Sequence, residues 1–197
     1  MADDNAPRLY LVTPTDRAPD GLAGPVEAAL ATGLVACLRL DLGSGDEDDW
    51  MRAANLLLPL CHAAEVPLVV TDRPELVAPL GLDGVHLARS TASVTRLRKS
   101  LGAERILGAW GGASRHRAMT LAEAGADYVA VGPAGEADEL VAWWAEMIET
   151  PIVVEGGVDL DAARRLGAVA DFVVPEVSVW DDPGGRLAGF AVALAEG

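Results

Sequence analysis

Short runs rich in Val, Leu and Ile alternate along this chain with longer segments in which apolar residues recur every three or four positions. The short runs are typical of buried parallel strands, and the longer segments are typical of amphipathic helices. Eight such runs follow one another at intervals of roughly 15 to 30 residues. They read LYLVTP from Leu9, ACLRLD from Ala36, PLVVT from Pro67, GVHL from Gly84, RILGAW from Arg105, YVAVG from Tyr128, PIVVEGG from Pro151 and FVVPEV from Phe172.

The strand count predicts an α/β fold with a single (β/α)₈ TIM barrel that spans residues 1–197. A doubly wound sheet uses the same alternation of strand and helix. Eight strands in a chain of 197 residues leave little room for insertions, however, and favour the closed barrel. Ser114 and Asp159 stand just before helical patterns and are predicted to cap them.

The composition narrows the class of partners. The formal net charge is −15 and the pI is about 4.4, so the chain repels phosphate backbones and we expect no nucleic acid partner. No window holds the roughly 18 apolar residues of a membrane span, and the acidic start MADDNAPRLY lacks the layout of a signal peptide. We therefore expect a cytoplasmic protein that does not bind membranes. Cys37 and Cys61 are interpreted as small buried hydrophobic residues.

The second predicted strand carries an arginine where a buried apolar residue is expected. Alternation along the strand places Cys37, Arg39 and Asp41 on one side of the sheet. If that side faces the barrel interior, an unpaired guanidinium would be costly, so an anion must meet Arg39. An ion pair with Asp41 is the first expectation, and a bound ligand is the alternative.

Polar residues at the ends of other strands have two interpretations each. Asp72, beside Thr71, is either a metal ligand or the N-cap of the following helix. His86 is interpreted as a core histidine rather than a general base, and His116, in the first turn of the fifth helix, as an acid/base group or a solvated side chain.

Paired glycines follow the seventh predicted strand. At the end of a barrel strand, the amides of Gly156 and Gly157 can approach an oxyanion, as in the phosphate sites on the last two loops of many barrels. The alternative is that the two glycines only make the turn.

Several of these pieces occur in the order seen in one family. LYLVTP, the Arg39 strand, VTDRPEL followed by LGLDGVHL, GADYVAVGP and PIVVEGGV resemble the thiamine phosphate synthase family over nearly the whole chain. The most specific segments are GADYV at 125–129 and DGVHL at 83–87. The resemblance extends to the related thiazole tautomerases, but Ala113 stands near the position of their catalytic histidine, which His116 could fill only with a shifted loop.

The resemblance implies a reaction. The family joins an aminopyrimidine pyrophosphate to a thiazole phosphate with Mg²⁺ and releases pyrophosphate, so it implies a small-molecule thiamine precursor as the partner. Pattern and resemblance together predict catalytic roles for Arg39, Asp72 and His116, with Asp72 as the metal ligand. They predict substrate contacts at Cys37, Asp41, Thr71, Arg89, Gly132, Glu155, Gly156, Gly157 and Glu176.

The departures from the family pattern all act against the binding of anions. Asp41 and Glu155 replace a lysine and an apolar residue, and Glu176 follows the eighth strand. The segment AGEADEL stands in place of Thr-x-Thr-Lys, and Ala88, Arg89, Ser90 and Thr91 in place of Gly-Gln-x-Asp, so the second aspartate is missing. These changes predict weakened anion binding and an eroded parent activity.

The alternative interpretation is a non-catalytic or repurposed barrel. It would bind a thiamine-related, or a cationic, ligand or a protein partner, because an acidic mouth with Asp41, Glu155 and Glu176 favours a cation over a diphosphate. A third interpretation is a redundant paralogue without a ligand. A homodimer formed through outer helices is a further expectation, to which Trp143 and Trp144 would contribute.

Overall fold

The computed structural model describes residues 8–89 and 93–197. Within them, eight parallel strands form a closed barrel in sequence order, which confirms the predicted fold. Residues 1–7, which belong to the acidic start of the chain, lie outside the described residues. So do Ser90 and Thr91, two of the positions at which the sequence departs from the family pattern. The strands are β1 (Arg8–Val12), β2 (Val35–Leu40), β3 (Leu68–Thr71), β4 (Gly84–Leu87), β5 (Ile106–Trp110), β6 (Tyr128–Val131), β7 (Ile152–Val154) and β8 (Phe172–Val173).

Helices surround the barrel. Ser114 accepts a hydrogen bond from Arg117 N and Asp159 from Ala162 N, so both predicted N-caps are confirmed. Two short 3₁₀ helices, Pro19–Gly21 and Val177–Asp181, supplement the α-helices. The α-helices are α1 (Ala23–Leu30), α2 (Glu47–Ala63), α3 (Pro74–Leu80), α4 (Val94–Leu101), α5 (Arg115–Glu123), α6 (Asp138–Met147), α7 (Leu160–Leu166) and α8 (Pro183–Glu196).

The core has two layers because successive side chains of each strand point to opposite faces. One set packs outward against the helices, where α2 contributes a continuous apolar face that includes Cys61. The other set fills the barrel interior, where Cys37 lies. The interior cluster consists of Tyr10, Cys37, Val69, Tyr128, Ala130, Val153 and Val174.

A glycine makes space for the largest interior side chain. Gly108 of β5 is the register partner of Tyr128 on β6. A Cβ at Gly108 would lie 2.0 Å from the Cζ atom of Tyr128, so any larger residue would displace the phenol ring. Gly108 thereby allows the Tyr128 hydroxyl to reach into the centre of the barrel.

The outer surface corrects one sequence-based expectation. Trp144 is 1% exposed and its Nε1 donates to the Thr150 carbonyl, so it belongs to the core and cannot contact a second subunit. Trp143 is half-buried beneath the Arg115 guanidinium, whose Cζ lies 4.2 Å from the ring centroid. Within residues 8–89 and 93–197, no helix is long and apolar enough to cross a membrane.

Candidate active site

Charged side chains gather at the carboxyl ends of four strands. Arg39 lies near the end of β2, Asp41 just after it, Asp72 after β3, Arg89 after β4 and Glu155 after β7. Because parallel strands of a barrel end on the same side, these residues share one face of the molecule. We call this group of five the barrel mouth.

Arg39 is paired with Glu155 on the far side of the barrel. Nη1 donates to Oε2 at 2.9 Å and Nη2 to Oε1 at 2.5 Å, which is a bidentate pair. The Arg39 side chain is 3% exposed and its Cζ lies 5.8 Å from the centroid of the Tyr10 ring. The carboxylate supplies the anion that a buried guanidinium requires.

The predicted ion pair between Arg39 and Asp41 is wrong. Arg39 faces inward and extends across the barrel to Glu155 at the end of β7, whereas Asp41 lies beyond the strand. There Asp41 Oδ1 accepts from Gly43 N at 2.7 Å, and Arg89 Nη2 donates to Oδ1 and Oδ2 at 3.2 and 3.1 Å. The Thr13 hydroxyl bonds to both backbone groups of Asp41 and ties β1 to β2.

Asp72 joins the ends of β3 and β4. Its Oδ1 accepts from Ala88 N at 2.9 Å and its Oδ2 from Arg89 N at 2.8 Å, while its backbone has a φ of 53°. The predicted N-cap role is wrong, because Arg73 is the N-cap of α3 and the Asp72 carboxylate instead reaches the loop after β4.

The donor set at the barrel mouth does not fit Mg²⁺. Asp41 and Asp72 would be the oxygen ligands, but the Arg89 guanidinium lies 3.1 Å from the first carboxylate and 3.6 Å from the second. Backbone amides bond to both oxygens of Asp72. In the described part of the chain, no group of three His, Cys, Asp or Glu side chains could hold a metal ion.

A chain of three polar side chains crosses the interior below the mouth. The hydroxyls of Tyr10 and Tyr128 are 2.6 Å apart, and the Tyr128 hydroxyl is 2.9 Å from His86 Nδ1. Burial raises the pKa of both phenols, and burial together with the charges of Arg39 and Arg89 holds the pKa of His86 well below its usual range. All three groups are therefore neutral.

Three interior polar atoms on neighbouring strands lack a hydrogen-bond partner. They are Arg39 Nε on β2, Thr71 Oγ1 on β3 and His86 Nε2 on β4, and they make up three of the four such atoms among the described residues. Thr71 and His86 are register partners, so their side chains lie side by side. His86 is a core histidine as predicted, but only its Nδ1 is satisfied. Buried polar groups of this kind normally have partners, so this cluster is a place where a water molecule or a polar ligand can bind.

A cleft of about 330 Å³ opens between the loops that follow β1, β7 and β8. Glu155, Gly156, Gly157 and Glu176 line it, so the structure brings these predicted residues together. The two glycines have φ angles of 88° and 68°. Among the described residues, the backbone hydrogen bonds of the two glycines use their carbonyl oxygens, which accept from Ala134 N and Asp159 N. The two amides are therefore available as donors to a ligand in the cleft.

Gly132 stands beside this cleft because of a close backbone approach. A Cβ there would lie 1.8 Å from the Glu155 carbonyl oxygen, so only glycine fits. Gly132 therefore fixes the position of the loop that carries Glu155. This role is structural, and a substrate contact at Gly132 stays a prediction.

Two predicted residues lie outside the group of five that forms the barrel mouth. Cys37 is buried in the interior, where burial raises the pKa of its thiol to about 12, so it is a neutral side chain. His116 is exposed in the first turn of α5. Sequence analysis missed Tyr10 and Tyr128 as parts of the site. Their inward positions on β1 and β6 were the signal that could have identified them.

The fold and the charged mouth define a class of protein: a (β/α)₈ barrel with a cleft and a group of charged side chains at the carboxyl ends of its strands. Comparison with known proteins identifies the family. The sequence profile described as Thiamine monophosphate synthase matches residues 9–175, and the chain belongs to this family.

Individual relatives agree with this assignment. A thiamine-phosphate synthase of Rhodospirillum centenum is 40% identical over 195 residues, which cover 93% of this chain and 94% of the relative. One of Erythrobacter litoralis is 35% identical and covers 99% of both chains. Among solved structures, a thiamine phosphate pyrophosphorylase from Pyrococcus furiosus has a TM-score of 0.82 at 20% identity, with 96% of each chain covered, and supports the fold.

Proposed function

We propose that this protein condenses an aminopyrimidine pyrophosphate with a thiazole phosphate to form thiamine phosphate. The observation that carries the proposal is the group of unpartnered interior atoms on β2, β3 and β4, which lies at the same end of the barrel as the cleft lined by Gly156 and Gly157. One feature offers donors and acceptors to a heteroaromatic ring, and the other offers amides to a phosphate. Family membership supports the same reaction.

In the proposed arrangement, the aminopyrimidine occupies the interior next to Thr71 and His86. The His86 Nε2 atom can serve as donor or acceptor, because the proton on the other ring nitrogen depends on how the Tyr10 and Tyr128 hydroxyls orient. The ring lies near the phenol faces, and the pyrophosphate lies toward the mouth, where Arg39 and Arg89 are the cations. The thiazole phosphate binds in the cleft.

The chemistry follows from these positions. The bond between the pyrimidine methylene carbon and the pyrophosphate oxygen breaks, and its electron pair leaves with the pyrophosphate. The lone pair of the thiazole nitrogen then forms the new C–N bond to the pyrimidine cation. The phenol faces of Tyr10 and Tyr128 and the Glu155 carboxylate stabilise that cation. This reaction needs no general base, so His116 has no necessary role in it.

The resemblance implies Mg²⁺, but the donor set of the described residues does not fit it, so the cations of the proposed arrangement are Arg39 and Arg89. The proposal keeps the predicted cytoplasmic location and the predicted homodimer. It also keeps the prediction that Asp41, Glu155 and Glu176 lower the affinity for phosphates relative to a mouth without these carboxylates.

The test is thiamine phosphate formation by the purified protein, measured by fluorescence after oxidation. We expect turnover with both substrates and Mg²⁺, and a loss of more than tenfold in the Arg39→Met variant when circular dichroism shows it folded. Arg73→Ala is the matched control, because Arg73 contacts Glu75 and the Trp50 ring rather than the mouth, and it should retain activity. The proposal fails if the folded wild-type protein forms no product.

A further inference from the structure

Arg89 lies between two carboxylates that follow neighbouring strands. Its Nη2 is 3.1 Å from Asp41 Oδ2, and its Nε is 3.6 Å from Asp72 Oδ2. Its own backbone N–H donates to the same Asp72 oxygen at 2.8 Å. The residue is therefore held through both its main chain and its side chain.

Two carboxylates on adjacent strand ends are the oxygen ligands that a divalent cation would use. At this position the guanidinium already neutralises one of their two negative charges. A guanidinium stays protonated in proteins, so the positive charge is present whether or not a metal is available. A divalent cation could enter only by displacing Arg89 or by lying next to a like charge.

The exposure of the three residues shows which of them can meet a ligand. The Asp41 side chain is 6% exposed and that of Asp72 is 18% exposed, whereas that of Arg89 is 60% exposed. The carboxylates therefore form the base of the arrangement, and the guanidinium is its accessible surface. Its remaining N–H groups are free to turn toward an anion at the mouth.

We propose that the Arg89 guanidinium takes the place of a divalent cation between Asp41 and Asp72, and supplies the positive charge that the departing pyrophosphate needs. The role of Arg89 toward the departing pyrophosphate rests on the proposed function. The position of its guanidinium between Asp41 and Asp72 does not, because it is a property of the protein without substrate.

Binding of Mn²⁺ tests the placement, with the free ion measured by electron paramagnetic resonance. Arg89→Ala removes the guanidinium and leaves both carboxylates, so it should bind one additional Mn²⁺ at least tenfold more tightly than the wild-type protein does. The double variant Arg89→Ala with Asp72→Asn should lose this gain. Arg89→Lys keeps the charge and should behave like the wild type.

Arg73→Ala is the control for overall charge in this acidic chain. It removes one positive charge from the same end of the barrel, but from a residue that contacts Glu75 and Trp50. It should not gain Mn²⁺ affinity. The inference is overturned if Arg73→Ala gains as much as Arg89→Ala, or if the wild-type protein already binds Mn²⁺ as tightly as Arg89→Ala.

Turnover tests the proposed role of Arg89 toward the departing pyrophosphate. Wild-type thiamine phosphate formation should persist when EDTA removes divalent ions, and Arg89→Ala should become dependent on added Mg²⁺. If EDTA abolishes wild-type turnover and Mg²⁺ restores it, the inference is overturned and the proposed function stands. If no condition gives turnover, the proposed function fails, and the Mn²⁺ comparison still decides where the cation belongs.

Discussion

The two arginines of the barrel mouth are held by carboxylates in opposite ways. In the first pair the cation is buried, because Arg39 is 3% exposed and Glu155 is 26% exposed. In the second pair the anion is buried, because Asp41 is 6% exposed and Arg89 is 60% exposed. The cost of breaking an ion pair therefore depends on which partner is left behind and on what else can satisfy it.

The two buried residues also differ in the hydrogen-bond partners that would remain after the loss of the exposed one. Without Glu155, the Arg39 guanidinium would stay in the interior, where its Nε already lacks an acceptor. Without Arg89, the Asp41 carboxylate would still accept the Gly43 N–H. The first pair is therefore the one on which the fold depends, and the second pair can change without loss of structure.

The largest effect is expected from Glu155→Ala, which leaves a buried charge unpaired. We expect the free energy of unfolding to fall by about 3–5 kcal/mol, measured by urea denaturation. Arg39→Met should cost less, about 1–3 kcal/mol, since the remaining Glu155 carboxylate can be hydrated. Equal losses in the two variants would show that burial does not set the cost.

The next effect concerns anion affinity at Arg39. Glu155→Gln removes the competing charge, keeps one acceptor and preserves the side-chain shape. We expect inorganic pyrophosphate to bind at least tenfold more tightly to this variant, which corresponds to about 1.4 kcal/mol by calorimetry. The double variant Arg39→Met with Glu155→Gln should lose the gain, and retention of the gain would place the anion elsewhere.

A third prediction uses the pH dependence of stability. The pKa of His86 is lowered in the folded protein by burial, then by Arg39 and Arg89, whereas the unfolded chain has a histidine pKa of about 6.5. Below that pH the unfolded state binds a proton that the folded state refuses, so stability falls as the pH falls, by up to about 1.4 kcal/mol per pH unit.

The control for this prediction is His86→Asn, which should lose this part of the slope between pH 6.5 and 5.5 in urea denaturation. A slope in His86→Asn equal to that of the wild-type protein would contradict the assignment of this pH dependence to His86.

The smallest effect is expected from Arg89→Ala. An exposed pair contributes little to stability, so the free energy of unfolding should change by less than about 1 kcal/mol. Thermal unfolding followed by circular dichroism measures the change. A loss as large as that of Glu155→Ala would mean that Asp41 depends on Arg89 for its burial.

The barrel could be predicted from the sequence because each strand is a short apolar run and each helix has a repeating apolar face. The runs at Leu9, Pro67 and Tyr128 correspond to β1, β3 and β6. Alternation also placed Cys37 and Arg39 correctly on one face of β2. These properties depend on neighbours within a few residues, which is the range that a pattern can describe.

The partners of the charges could not be predicted in the same way. Arg39 and Glu155 are 116 residues apart and meet only because the closed barrel places the ends of β2 and β7 across one interior. Local spacing favoured Asp41, two positions from Arg39, but Asp41 lies beyond the end of β2 and its carboxylate bonds to Gly43 N and Arg89. Asp72 was likewise assigned to its own helix, although its carboxylate binds amides after the next strand.

The pair of Arg39 and Glu155 also bears on how the two halves of the barrel depend on one another. A fragment that ends after α4 would hold the guanidinium, and a fragment that begins at β5 would hold the carboxylate. Each fragment alone would have to bury one charge without its counterpart. The two fragments should therefore be poorly folded separately. When they are mixed, they should complement each other, because the ion pair can then form between them.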